Sequence, residues 1–233
     1  MKKVFFVAIL ICISYTANAQ ISTLLEKGKS GIGIQAGAEM GDNLTGLGGK
    51  IGGSIGGVVD IEILHLSETY SKYMAELTNG DATANFFSGK ATWWLFRTEL
   101  TPTIELNMGI AGGFEYSSFD NYKYIAKFSS DTSVYKSFVE GTFGLVTSIN
   151  FHLSETWLLQ PSFSIQFEGG TEKITTKNND NDEAYTGVIT DIGLTLGKRF
   201  SKGSMIYLKF DQFADSYSSG NYYSTALGYA IPF

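Results

Sequence analysis

From residue 30 onward, apolar and polar positions alternate. Ile32, Ile34, Ala36, Ala38 and Met40 interleave with Gly33, Gln35, Gly37 and Glu39. Across 50–63, Ile51, Ile55, Val59, Ile61 and Ile63 share one parity, and Lys50, Ser54, Asp60 and Glu62 take the other. A period of two puts one set on each face of a strand, whereas a helix would scatter both sets around its circumference. The same alternation marks segments at 103–115, 142–151, 157–168, 191–196, 206–211 and 223–233, with fainter ones near 68–77 and 85–96. The pattern predicts ten strands. Eight is the alternative, because the two faint segments alternate least cleanly.

The connections predict how the strands are joined. Short ones fall near 64–67, 97–100, 152–155 and 201–203; longer polar ones fall near 41–47, 78–84, 117–136, 169–184 and 216–221. Short turns at one end and long loops at the other are the pattern of a membrane barrel with both termini on the periplasmic side. The pentapeptide His65-Leu66-Ser67-Glu68-Thr69 recurs as His152-Leu153-Ser154-Glu155-Thr156, and reads as equivalent turns after strands two and six.

Each segment is close to the roughly 9–11 residues that a tilted strand needs to cross hydrocarbon. In hydrocarbon every backbone polar group needs a partner, so strands can cross only as a closed barrel. The expected fold is therefore all-β: a transmembrane antiparallel up-and-down β-barrel over 30–233. Trp93, Trp94, Phe96, Phe151, Trp157 and Phe200 near the short turns, and Phe86, Phe87, Phe114, Tyr116 and Tyr185 near the long loops, suit the two interfacial girdles.

The first residues read as an export leader. Lys2 and Lys3 precede an apolar core from Val4 to Ile13, and Ala17-Asn18-Ala19 supplies the small-x-small pattern for cleavage between Ala19 and Gln20. This makes 1–19 a signal peptide and 20–29 a periplasmic N-terminal segment. The chain's single cysteine, Cys12, lies in the leader, so the mature chain is expected to form no disulfide or thiolate metal site. Losing Lys2 and Lys3 moves the formal charge from −6 to −8. An acidic chain without basic clusters argues against nucleic acid as a partner.

The leader, the alternating strands and the ending Leu227-Gly228-Tyr229-Ala230-Ile231-Pro232-Phe233 resemble small outer-membrane β-barrel families. Gln20 as first mature residue and the hairpin NFHLSETWLLQPSFSIQF resemble the porin-like barrel domains of Bacteroidota. The resemblance covers most of the mature chain. It implies residence in outer-membrane lipid and insertion by the barrel-assembly machinery, which would read Tyr229, Ile231 and Phe233. Pro232 departs from that pattern, since proline cannot donate to a ladder.

Candidate chemistry is sparse. His65-x-Ser67 and His152-x-Ser154 are similar to the motif of the outer-membrane lipid A deacylase, but both are expected at short turns, where Ser-Glu is ordinary turn chemistry. Ten-stranded outer-membrane proteases need a histidine at the outer rim, and the chain offers none there. Asn178 to Glu183 lacks the glycine and the distal glutamate of a calcium loop, so it reads as a solvated loop. Gly193 to Lys198 has the wrong spacing for a phosphate loop. No catalytic residue, metal ligand or cofactor is expected.

The remaining set faces inward by parity. Glu39, Lys50, Asp60, Glu62, Glu105, Asp191, Lys209 and Asp211 lead it, with Lys72, Glu76, Lys90, Glu115 and Glu140 beside them. They suit a charge network that fills a narrow barrel, or a thin acidic pore preferring cations. The plug reading is preferred, since charge rings select ions only where water is continuous. The expected function is a non-enzymatic, porin-like barrel with an envelope-structural, surface-contact or limited solute-passage role. An accessory barrel of a type IX-like secretion system is the alternative, with an unknown envelope protein as partner, and a lipid-modifying enzyme is third.

Overall fold

A backbone that alternates apolar and polar side chains can satisfy its hydrogen bonds only by pairing with neighbours, and here pairing closes on itself. The computed structural model describes residues 21–41, 44–70, 82–120, 134–176, 180–215 and 221–233. Ten antiparallel strands form one closed barrel: β1 (Gly31–Gly41), β2 (Leu44–Ile55), β3 (Val59–Tyr70), β4 (Ala82–Thr101), β5 (Ile104–Asp120), β6 (Val134–His152), β7 (Trp157–Thr176), β8 (Asp180–Arg199), β9 (Met205–Asp215) and β10 (Asn221–Pro232). Each strand pairs with its sequence neighbours, and β10 closes on β1 with Ile32 opposite Ile231 and Ile34 opposite Tyr229. A short helix, α1 (Ile21–Leu24), precedes β1.

The register sets the shape. One row of facing residues leaves β1 at Gly31, passes Ser54, Asp60, Thr92, Ala111, Gly144, Gln166 and Ile189, and reaches Asp215. Continued through β10 it regains β1 just beyond Gly41, a stagger of about twelve residues that tilts the strands by roughly 40°. The 11- and 12-residue strands β1–β3, β9 and β10 then climb roughly 30 Å, and the 20-residue strands β4, β7 and β8 roughly 50 Å. Pairing of β8 with β7 runs to Asp180, but with β9 it begins at Ile189. The wall therefore steps down at β9, and its tall side, β4–β8, exceeds an apolar band of about 25 Å.

The faces are inverted relative to a protein that folds around an oily core. Leu47, Phe143, Leu145 and Phe167 are about three-fifths exposed on the outside, whereas Asp60 and Asn107 are fully buried within. Water would penalise that exterior and hydrocarbon does not.

Several boundaries differ from the sequence reading. The segment 50–63 is a hairpin: β2 ends at Ile55, Gly56 and Gly57 turn with φ of 59° and 65°, and Val59 starts β3 opposite Ile55. Both turn residues adopt a left-handed conformation that glycine enters without a Cβ clash. The pentapeptide 65–69 consequently lies within β3 and is not a turn, whereas 153–156 does join β6 to β7. Of the strand expected at 68–77, the first residues finish β3 and 71–77 lie outside the described residues. The turn expected at 97–100 is replaced by one at Pro102-Thr103, because β4 continues through a bulge between Trp94 and Phe96. The loops placed at 117–136 and 169–184 are shortened by strands that continue into polar sequence, so Asp180 to Glu183 belongs to β8. The loop placed at 41–47 shrinks to two residues between β1 and β2. The leader, Ala19, Gln20, Lys72 and Glu76 lie outside the described residues.

Candidate functional site in the barrel interior

Residues 21–25 enter the barrel at its turn end. Ile21, Leu24 and Leu25 are buried against Leu158 of β7, Met205 and Tyr207 of β9, and Ala230 of β10. A helix end leaves carbonyls without intrahelical partners, and buried carbonyls need them. The wall supplies them. Asn150 Nδ2 donates to the Thr23 carbonyl at 2.8 Å, while Arg199 reaches the Leu24 carbonyl and Arg97 the Leu25 carbonyl, both at 3.4 Å. Gln160 Nε2 donates to Thr23 Oγ1 at 2.9 Å and to Asn150 Oδ1 at 2.6 Å. The two guanidinium groups also place positive charge at the helix C-terminus, where the backbone dipoles favour it.

The bulge in β4 makes this arrangement. It leaves Leu95 and Phe96 both exposed and turns Arg97 inward; one inserted residue reverses the side-chain parity beyond it. Arg97 Nε pairs with Glu105 Oε1 at 2.9 Å, and Glu105 Oε2 accepts from Asn150 at 3.2 Å. Trp94 also faces inward, 3 % exposed, and its indole donates to Asp60 Oδ2 at 2.9 Å. It is not a girdle residue, and neither is buried Tyr185, whose hydroxyl donates to Glu140.

One level higher, buried cations and anions pair, across β2 and β3 in one case and along β9 in the other. Lys50 Nζ pairs with Glu62 Oε2 at 3.2 Å and Lys209 Nζ with Asp211 Oδ1 at 2.8 Å. Lys90 Nζ donates to Gln166 Oε1 at 2.9 Å, and Ser224 Oγ donates to Asp211 Oδ2 at 3.1 Å. Asp191, opposite Ser164 on β7, is buried. Charges this deeply buried persist only when paired, because an ion left alone there costs several kcal/mol.

All eight leading residues of the inward set are thus buried in the interior, in two groups: Asp60 and Glu105 near α1, and Lys50, Glu62, Asp191, Lys209 and Asp211 above it, with Glu39 higher still. The alternation puts Asn150 and Gln160 on the polar face, where they lie, but Arg97, Arg199 and α1 itself, and the partners that α1 gives those two side chains, were not legible in it. Tyr229, Ile231 and Phe233 stand at the turn end, with Ile231 and Phe233 exposed.

The two His-x-Ser sequences separate. His65 lies on the outer face of β3 between Gly49 and Phe87, while Glu68 is buried inside. His152 closes β6, and Ser154 Oγ accepts from the Thr156 and Trp157 backbone N–H groups. Among the described residues, neither histidine side chain is hydrogen-bonded to a serine or a carboxylate, and no group of residues is arranged to hold a metal ion.

Two solved barrels superpose on nearly the whole chain. The translocator domain of autotransporter NalP from Neisseria meningitidis matches with a TM-score of 0.53 at 10% identity, over 91% of this chain and 92% of that one. The fold is that of outer-membrane β-barrels. The β domain of the Bordetella autotransporter BrkA gives a TM-score of 0.52 at 13% identity, covering 89% of this chain and 100% of that one. The Escherichia coli outer membrane protease OmpT, at a TM-score of 0.45 and 10% identity, aligns over 88% of this chain and 94% of its own. No protein-family model and no curated protein matches the sequence.

Proposed function

We propose that the chain is a non-enzymatic small barrel of the outer membrane, closed at its turn end by its own N-terminal segment, that works through its outer end as an envelope or surface-contact protein. The observation that carries this reading is the seating of α1: the carbonyls of Thr23, Leu24 and Leu25 are each taken by a wall side chain. A segment in transit would not have its terminal carbonyls matched one by one. The apolar belt supports residence in lipid, the short turns support a periplasmic placing of that end, and the tall side β4–β8 rises towards the opposite end. Tyr229, Ile231 and Phe233 lie on the closing strand or just beyond it, which supports their role as the assembly signal. Gln20 and the 150–167 hairpin support a Bacteroidota-type origin.

Planar-bilayer recordings of the refolded chain test the reading. The expected result is a membrane that stays silent in concentrated KCl, with no swelling of sugar-loaded liposomes. Stable open-channel steps would overturn it in favour of solute passage.

A further inference from the structure

The step in the wall leaves one strand with an open side. β8 pairs with β7 from Asp180 opposite Thr175 downward, but β9 joins it only at Ile189, opposite Asp215. Over 180–187 no strand lies on the β9 side of β8 among the described residues, a length of roughly 25 Å. There Asp182, Glu183, Ala184, Thr186 and Gly187 form no hydrogen bond among the described residues beyond the β7 ladder. A strand directs part of its N–H and C=O groups to each side, so this edge presents open donors and acceptors to a further strand. Asp182, Glu183 and Ala184 are consecutive and all exposed. Both faces of β8 are therefore in water at that height.

The edge is preformed. Tyr185 is buried on the inner face, where its hydroxyl donates to Glu140 and its ring meets Phe138 edge to face at 6.0 Å. β6 and β7 rise beside β8 as far as Val134 opposite Thr176, so an added strand would extend an ordered sheet at little cost in rearrangement. The usual devices that blunt an edge are missing from 180–187: the segment has no proline, and the β7–β8 register runs without a shift. What the edge carries is acid. By parity Asp182 falls on the outer face with Ile192, and Glu183 on the inner face with Tyr185. Acids on an edge repel a like strand and favour a cationic one. Two copies upright in one membrane would moreover cross these edges at about twice the strand tilt, so a second copy does not fit.

We propose that the open edge of β8 takes up an extended, basic segment of another protein as an added strand: its backbone continues the ladder, and its cationic side chains lie opposite Asp182 and Glu183. Main-chain hydrogen bonds supply the attachment, and charge supplies the choice of partner. The inference deepens the surface-contact reading and rests on it. The two fail separately. Channel current would overturn the closed lumen and leave the edge as it stands, whereas a failure of strand addition would leave the silent membrane as it stands.

Fluorescence anisotropy of a short labelled peptide of alternating lysine and threonine, titrated with the full chain folded in uncharged detergent, tests it. Saturable binding is expected, and amide hydrogen exchange over 182–187 should slow several-fold at saturation. The same peptide N-methylated throughout keeps its charge but cannot donate to a ladder, and it should not bind. Asp182→Lys together with Glu183→Lys should weaken the lysine peptide about fivefold or more and admit its glutamate counterpart. Heat-modifiable gel mobility reports the folding of that variant, and the exchange and N-methyl measurements need no variant. Absence of saturable binding, equal binding of the N-methylated peptide, unchanged exchange at 182–187, or unchanged affinity in the folded charge-reversed variant would each overturn the proposal.

Discussion

Arg97 Nε donates to Glu105 Oε1 at 2.9 Å across the β4–β5 hairpin, and the same guanidinium reaches the carbonyls of Gly57 and Leu25 at 3.4 Å. One side chain thereby ties a hairpin, a neighbouring turn and the N-terminal segment inside the barrel. Arg97→Ala leaves Glu105 buried without its cation, so the barrel should lose about 3–5 kcal/mol. Urea titration in lipid vesicles, followed by tryptophan emission, measures that loss. Arg97→Met with Glu105→Leu, which removes both charges, should recover most of it; a double variant as weak as the single one would mean that the pair is not the source.

The β2–β3 turn makes a comparison between adjacent residues. Gly56 and Gly57 both have positive φ, so alanine strains each by about 1–2 kcal/mol. A Cβ on Gly56 meets nothing within 4 Å, whereas one on Gly57 would meet the Gly28 backbone nitrogen at 2.9 Å and the Arg97 guanidinium at 3.0 Å. Gly57→Ala should therefore destabilise more than Gly56→Ala in the same urea assay. Equal losses would place the N-terminal segment away from this turn.

Much of the barrel was legible because alternation is the local signature of a wall with lipid on one side. What stayed hidden follows from parity. A three-residue turn separates Ile55 from Val59 by four positions, so the alternation passes through the hairpin unbroken. The bulge that exposes both Leu95 and Phe96 shifts parity by one, and Arg97 then reads as a turn residue. The charged lumen residues stood out because a lysine or glutamate at an apolar-alternating position has one place to go. Asn150 and Gln160 fall on the same polar parity, but their role stayed hidden because it depends on α1, a segment distant in sequence whose short apolar stretch has no period.

The apolar belt gives a prediction about the surroundings. Leu145 is 60 % exposed near mid-height of the wall. In water Leu145→Arg should be nearly neutral, but at the bilayer midplane an outward arginine costs about 2–4 kcal/mol. Folding into vesicles, compared with wild type, measures the difference. A loss within about 0.5 kcal/mol, the range for an ordinary surface substitution, would contradict a lipid-facing wall.

The N-terminal segment lies within the barrel, and thiol accessibility tests that position most directly. In a Cys12→Ser background, Thr23→Cys and Glu26→Cys place single thiols three residues apart, at a position 1 % exposed and at one that is exposed. A membrane-impermeant maleimide added to the folded protein in detergent should label the thiol at 26 promptly and the thiol at 23 only after unfolding. Equal, rapid labelling at both positions would contradict the account.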